Sequence, residues 1–266
     1  MKSAQTMLSL ARTASALGVA AIASALTIGP TGCATEPRLN PPAALIAPYA
    51  TDADALWAVT PIRNESGTSA ADELRLADAV AAAAAQTRGV RCLPLNRTIQ
   101  AMRALDMPEV NTPAQALALA DAMGVDAILV GSATAYDPYD PPTIGLSIAL
   151  FARTNMFIDA TPAGDFDPVA FSASPTDAAG MPGSTFGSSP HSTAAVHLDA
   201  RNHQTLMELK RFADGRHDPA AALGWRSYTA SMDLYTDFAA HQAVGALLRE
   251  EWLRLATASR GRATDR

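Results

Sequence analysis

Cysteine, lysine and aromatic residues are all scarce in this chain, and each shortage removes a class of protein. Two cysteines in 266 residues, Cys33 and Cys92, cannot build a disulfide framework. Lysine occurs only at Lys2 and Lys210 and the formal net charge is −6, so there is no basic excess for a nucleic-acid surface. A phosphate-cradling Gly-x-x-x-x-Gly-Lys loop and a Gly-x-Ser-x-Gly nucleophile elbow are both missing. Beyond the first thirty residues there is no run of about 20 apolar residues, which excludes a polytopic helical membrane protein. Aromatics make up 6% of a chain that is 48% hydrophobic, and 58 alanines fill much of the difference. A core of such small side chains requires close helix–helix and helix–sheet contact, which argues for a helix-rich fold.

What is present begins with an address. In residues 1–32 the only charges are Lys2 and Arg12, followed by small and apolar residues from Ala14 to Ile28, the order of a secretory signal peptide. The segment ends Pro30-Thr31-Gly32-Cys33 and resembles the lipobox of bacterial lipoproteins, with Pro30 where an aliphatic residue is usual. That resemblance implies acyl chains on Cys33 and a mature chain on the periplasmic face of a bacterial membrane, the outer membrane being the first choice. The competing readings are a soluble secreted protein cut nearby, the stronger of the two, and an uncleaved membrane anchor. Without residues 1–32 the chain has 18 basic and 26 acidic residues, a balance that disfavours lying flat on anionic lipid, so the anchor itself must supply membrane attachment. Residues 33–54 hold Pro37, Pro41, Pro42 and Pro48 and read as an extended tether.

Residues 55–258 read as one α/β domain and 259–266 as a polar tail. Residues 56–62 form an apolar strand run, and Arg63-Asn64-Glu65-Ser66-Gly67 its polar exit loop. A helix is expected from Thr68 or Ser69, with Leu74, Ala77, Val80, Ala81 and Ala84 on one face, ended by Gly89. A short strand over 90–95 precedes a helix capped by Asn96 over Ile99, Met102 and Leu105. Thr112-Pro113 opens another helix that closes at Gly124. Residues 125–131 are the best central strand, and the Asp137–Pro142 turn leads into an antiparallel strand over 143–152. An insertion at about 155–193 is rich in Gly, Pro, Ser and Thr, lacks Lys and Arg beyond residue 160, and reads as flexible. Residues 194–200 suggest a strand, 202–213 lean to helix through Leu206, Leu209 and Phe212, and 227–258 form a long helix with Gly245 as a weak point.

This order of elements, with the quoted stretches Ala58 to Gly67 and Ala122 to Ser132, resembles the superfamily of the TolB amino-terminal domain, the curli secretion lipoprotein CsgG and the penicillin-binding-protein activator LpoB. The resemblance covers about residues 55–152. It implies a mixed β-sheet flanked by helices, on an envelope lipoprotein that acts by binding other proteins, in cell-wall synthesis or a secretion assembly. No cofactor is expected. The long C-terminal helix has no counterpart in it, and the insertion lacks the alternating strands of a pore hairpin.

Catalytic chemistry is thinly represented. His191, His197 and His203 are spaced by six, which on a helix sets successive members about 120° apart. His197, Asp199 and His203 carry the alternative reading, a metal-dependent or other hydrolase. Ser66 lacks a nucleophile motif, Cys92 reads as a small buried hydrophobe, and His241 as a partly buried or capping polar group within the last helix. Glu250, Glu251 and Arg254 read as a solvated charged face. The favoured reading is therefore non-catalytic. A protein partner docks on the loops that carry Asn64, Glu65, Ser66, Gly67 and Asp137, Tyr139, Asp140, with no nucleic acid involved and self-association left open.

Overall fold

Strands without a polar face need cover on both sides, and the two most apolar runs, around Trp57 and Leu129, do occupy the middle of a sheet. A computed structural model of the chain describes residues 42–49, 54–152, 190–218 and 221–264, with the last helix's side chains through residue 257. Its strands are β1 (Ala55–Val59), β2 (Arg63–Asn64), β3 (Val90–Cys92), β4 (Ala127–Asp137), β5 (Thr143–Ala152) and β6 (Ser192–Asp199). The sheet order is β3-β1-β4-β5-β6. β3, β1 and β4 run parallel, while β4–β5 and β5–β6 are antiparallel. Proline at position 61 interrupts the first apolar run, and the chain resumes pairing as β2, parallel to β4 at Ser132 and Ala133. Two residues expected in a loop thus extend the sheet.

Helices α1 (Glu73–Ala85), α2 (Leu95–Ala104), α3 (Pro113–Met123), α4 (His203–Ala213), α5 (Ser227–Ala230) and α6 (Met232–Thr264) complete the order. On one face of the sheet, α1, α4 and α6 bury Trp57, Val59, Leu129 and Leu146 together with Leu76, Val80, Phe238 and Leu247. On the other, α2 and α3 bury Ala58, Ile128 and Phe151 with Met102 and Leu119. This is the mixed sheet flanked by helices, with a long C-terminal helix, that the sequence predicts.

Three helix boundaries differ from expectation for local reasons. Asp72, not Thr68 or Ser69, caps α1, because its extended backbone lets Oδ1 accept from the amides of Leu74 and Arg75. Leu74 is left half-exposed beside a buried stripe of Leu76, Ala77, Val80 and Ala84. α2 starts at Leu95 from Pro94 with no side-chain cap, and Leu105, at its C-cap, is exposed. The expected single helix from Ser227 is broken at Ser231 (φ −123°, ψ 117°), an extended residue that begins α6 as a serine N-cap does. By contrast α3 follows its signals: Thr112 and Gln115 form a reciprocal capping box, Pro113 occupies the first turn, and Gly124 closes it at φ 65°.

Residues 42–49 lie within the stretch read as a tether, and they form a strap on the domain. Ile46 bridges Arg88 in parallel, with Arg88 N donating to Leu45 O and Ala47 N to Arg88 O, both at 2.9 Å. Ala47, Pro48 and Tyr49 are buried, and the Tyr49 ring meets Trp57 edge-on. On the other side the strap follows α6. A Cβ on Gly245 would come within 3.2 Å of Leu45 Cδ2, so the glycine that weakens the helix pattern makes room for the strap. All these elements belong to one compact unit, Leu39–Arg266. Cys33 and most of the expected insertion lie outside the described residues.

Candidate functional site

Parallel pairing of β2 with β4 carries a consequence for the two loops singled out in the sequence. The first leaves the sheet where Glu65 N donates to Ala133 O, 2.9 Å, and β4 runs four residues further to Asp137, roughly 13 Å at the rise of a strand. Both loops therefore stand at the carboxyl end of β4. Because β6 runs the same way as β4, Asp199 and the start of α4 stand at this end too, Asp199 opposite Thr143.

Within the first loop the residues divide between holding and presenting. Asn64 holds. Its Nδ2 donates to Thr68 O at 2.6 Å, its Oδ1 accepts from Ser66 N at 3.1 Å and from Ser66 Oγ at 2.6 Å, and its amide donates to Glu73 Oε1 at 3.0 Å. The Ser66 hydroxyl is thereby engaged within the loop. Gly67 takes φ +77°, the left-handed turn that ends the loop. Glu65 presents its carboxylate to solvent, 3.4 Å from the Arg63 guanidinium. In the second loop, Asp137 Oδ1 accepts from Tyr139 N at 3.1 Å and fixes the turn. Tyr139 stands out at 79% exposure with Asp140 beside it.

Charge behind the loops is organised by Arg75. Its Nε donates to Asp233 Oδ1 at 3.1 Å and its NH2 to Asp237 Oδ1 at 3.3 Å, joining α1 to the start of α6. Burial acts to lower the Arg75 pKa, but the two aspartates outweigh it and hold it raised. Burial lifts the Asp237 pKa against the pull of Arg75. Tyr136, on β4 beside them, is raised by burial and by Asp233 and Asp72.

The hydrolase candidates are not gathered. Asp199 Oδ1 accepts from Arg201 N at 2.8 Å in the turn after β6, while His197 and His203 are both exposed. Among the described residues no group of three His, Cys, Asp or Glu is placed to hold a metal ion. Burial pushes the Cys92 thiol up to about 12, so its thiolate is unavailable at neutral pH.

One polar cluster escaped the sequence reading. Glu251 is fully buried, correcting its assignment to a solvated face, because the strap and β6 cover that side of α6. Its Oε1 accepts from Ser192 Oγ at 2.6 Å, and Arg254 grips both oxygens at 3.1 and 2.8 Å. Burial raises the Tyr49 phenol well above its usual value, with Glu251 adding to the effect. His191, lowered by burial and by Arg254, accepts from Ala152 N through Nδ1. The cluster joins the strap, both sheet ends of the insertion and α6. Only the i, i+3 spacing of Glu251 and Arg254 could have pointed to it.

No protein-family model matches the chain, and no curated protein matches it in sequence. Among solved structures, it is similar to the LpoB C-terminal domain from Salmonella enterica, 16% identical over 39% of this chain and 75% of that one, with a TM-score of 0.32. It is similar to lipoprotein GNA1162 from Neisseria meningitidis, 20% identical over 38% of this chain and 71% of that one, TM-score 0.29. The PelC dodecamer from Paraburkholderia phytofirmans is 14% identical over 79% of this chain and 95% of that one, TM-score 0.31.

Proposed function

We propose that this chain is a non-catalytic, lipid-anchored protein of the bacterial envelope that docks a protein partner through the loops bearing Glu65 and Tyr139. One observation carries the docking surface: β2 and β4 run parallel, which brings two loops far apart in sequence to one end of the sheet. Tyrosine on a fixed turn is the kind of residue that anchors interfaces, since it offers a large rigid surface with little entropy to lose. Acidic groups at Glu65, Asp137 and Asp140 favour a partner with a basic patch. Export and anchoring rest on the leader and on Cys33, and the choice of cell-wall synthesis or secretion as the setting rests on the sequence resemblance.

A photo-crosslinking residue at position 139 or 65, introduced in intact cells, should capture one and the same envelope protein from both positions. The same probe at Leu105, exposed at the end of α2, should not capture it. Capture equal at all three positions would remove the docking surface. Anchoring is tested separately: Cys33→Ser should abolish incorporation of a palmitate analogue, and undiminished labelling would sink that part of the reading.

A further inference from the structure

The chain is acidic as a whole, yet residues 201–226 carry five Lys or Arg against three Asp or Glu. On α4, His203, Met207, Lys210 and Arg211 recur at three and four residues and form one exposed stripe, Met207 at 37% exposure. A 3-10 turn, Gly224–Arg226, sets Trp225 against its end. The indole, half-buried against the core, has two cations over its ring, Lys210 Nζ and the Arg226 guanidinium, each 4.9 Å from the centroid. Leu223 beside it is 56% exposed. The three carboxylates of the segment are Glu208, bonded by Gln204 Nε2 at 3.0 Å, and Asp214 and Asp218 in the loop beyond α4.

Arg216 locates this surface relative to the anchor. It stacks on Phe212 at 4.2 Å and donates to Ala43 O at 3.3 Å, so the start of the described strap lies close to the end of α4. Eight residues lie between Cys33 and residue 42, nine Cα steps with a reach of about 30 Å when fully extended. We propose that Met207, Lys210, Arg211, Leu223, Trp225 and Arg226 form a surface that rests on an anionic phospholipid bilayer and orients the domain on its membrane. Basic residues near such a surface are attracted to its headgroups, tryptophan and leucine favour the interfacial zone, and the combination reverses locally the repulsion expected of an acidic chain. A short tether holds the surface within reach, and a weak second contact suffices once an acyl chain is in place.

The test uses the unacylated chain beginning at residue 34, which keeps every described residue, with vesicles of phosphatidylcholine alone or mixed with phosphatidylglycerol. Binding is expected to the anionic vesicles only, to weaken steeply with salt, and to shift indole fluorescence to the blue, a shift lost in Trp225→Phe. Each basic residue near the surface strengthens binding about five-fold, so Lys210→Gln, Arg211→Gln and Arg226→Gln together should weaken it about a hundred-fold. If that variant melts early, the salt series and the single change Lys210→Glu give the same reading. Three outcomes overturn the proposal: no binding to anionic vesicles, an equal loss on replacing the exposed Arg91, Arg97 and Arg103, or an acidic polypeptide that binds and is not displaced by vesicles. Loss of Cys33 labelling leaves the result untouched, because the tested chain has no acyl group.

Discussion

At the scale of single residues, two glycines separate conformational need from lack of room. A Cβ at Gly131 would lie 2.7 Å from Ser147 O and 2.9 Å from Ile148 Cγ2, so Gly131→Ala must part β4 from β5, at about 2–3 kcal/mol. At Gly67 nothing lies within 4 Å, and alanine meets only the φ of +77°, about 1–2 kcal/mol, part of which Gly67→Asn should recover. Urea unfolding distinguishes them: rescue of position 131 by a flexible polar residue would refute the close approach. Glu251→Ala leaves Arg254 and Ser192 without their partner and should cost about 2–4 kcal/mol, whereas Glu250→Ala should stay within about 0.5 kcal/mol. Equal effects would return Glu251 to the surface. Burial and then Arg216 lower the His241 pKa to about 4, opposed by the Ala43 carbonyl. The ring is neutral in the fold, so stability is complete above about pH 6.5 and falls as pH drops toward 4, by about 2 kcal/mol for a partly screened group. His241→Phe should flatten that fall in acid-series melting, and an unchanged slope would assign it elsewhere.

Among whole elements, α6 bears most on whether the chain folds. Tyr235, Phe238, Ala239, Val244, Leu247 and Leu255 are buried along it, and the Tyr235 hydroxyl donates to Leu198 O at 3.0 Å. Each large side chain contributes about 1.5–3 kcal/mol, so removing residues 226–266 should exceed the whole stability and abolish cooperative melting. A soluble remnant with a sharp transition would make α6 a detachable handle instead. The sheet and α3 were legible because their signals are local: apolar runs over Trp57 and Leu129, and Thr112-Pro113 followed at the other end by Gly124. β2 was not, since Arg63 and Asn64 have no strand signature and owe their pairing to the edge that β4 offers beyond Pro61. The strap was hidden for a related reason. Its prolines point to an extended chain, but only the groove between Arg88 and Gly245 decides what residues 42–49 lie on. Glu251 was misread because a charged triplet on a helix gives no sign of which face is later covered.

Across the molecule, the loops of Glu65 and Tyr139 share one end of the sheet, while Trp225, with Lys210 and Arg226 near its ring, follows the loop whose Arg216 holds the strap at Ala43. The candidate residues read from the sequence thus share a place without sharing a role, since Asn64 and Ser66 serve inside their loop and Tyr139 faces outward. Metal chemistry at His197, Asp199 and His203 had only spacing behind it, and spacing across a strand, a turn and a helix start does not make a site. The strap adds a mechanical consequence. Among the described residues, a pull on the chain ahead of residue 42 would load the Ala43–Arg216 hydrogen bond before the bridge at Arg88. Such a load would have to break those hydrogen bonds and unseat the buried Tyr49 before it reached β1, so the sheet that shapes the two loops is shielded by the strap.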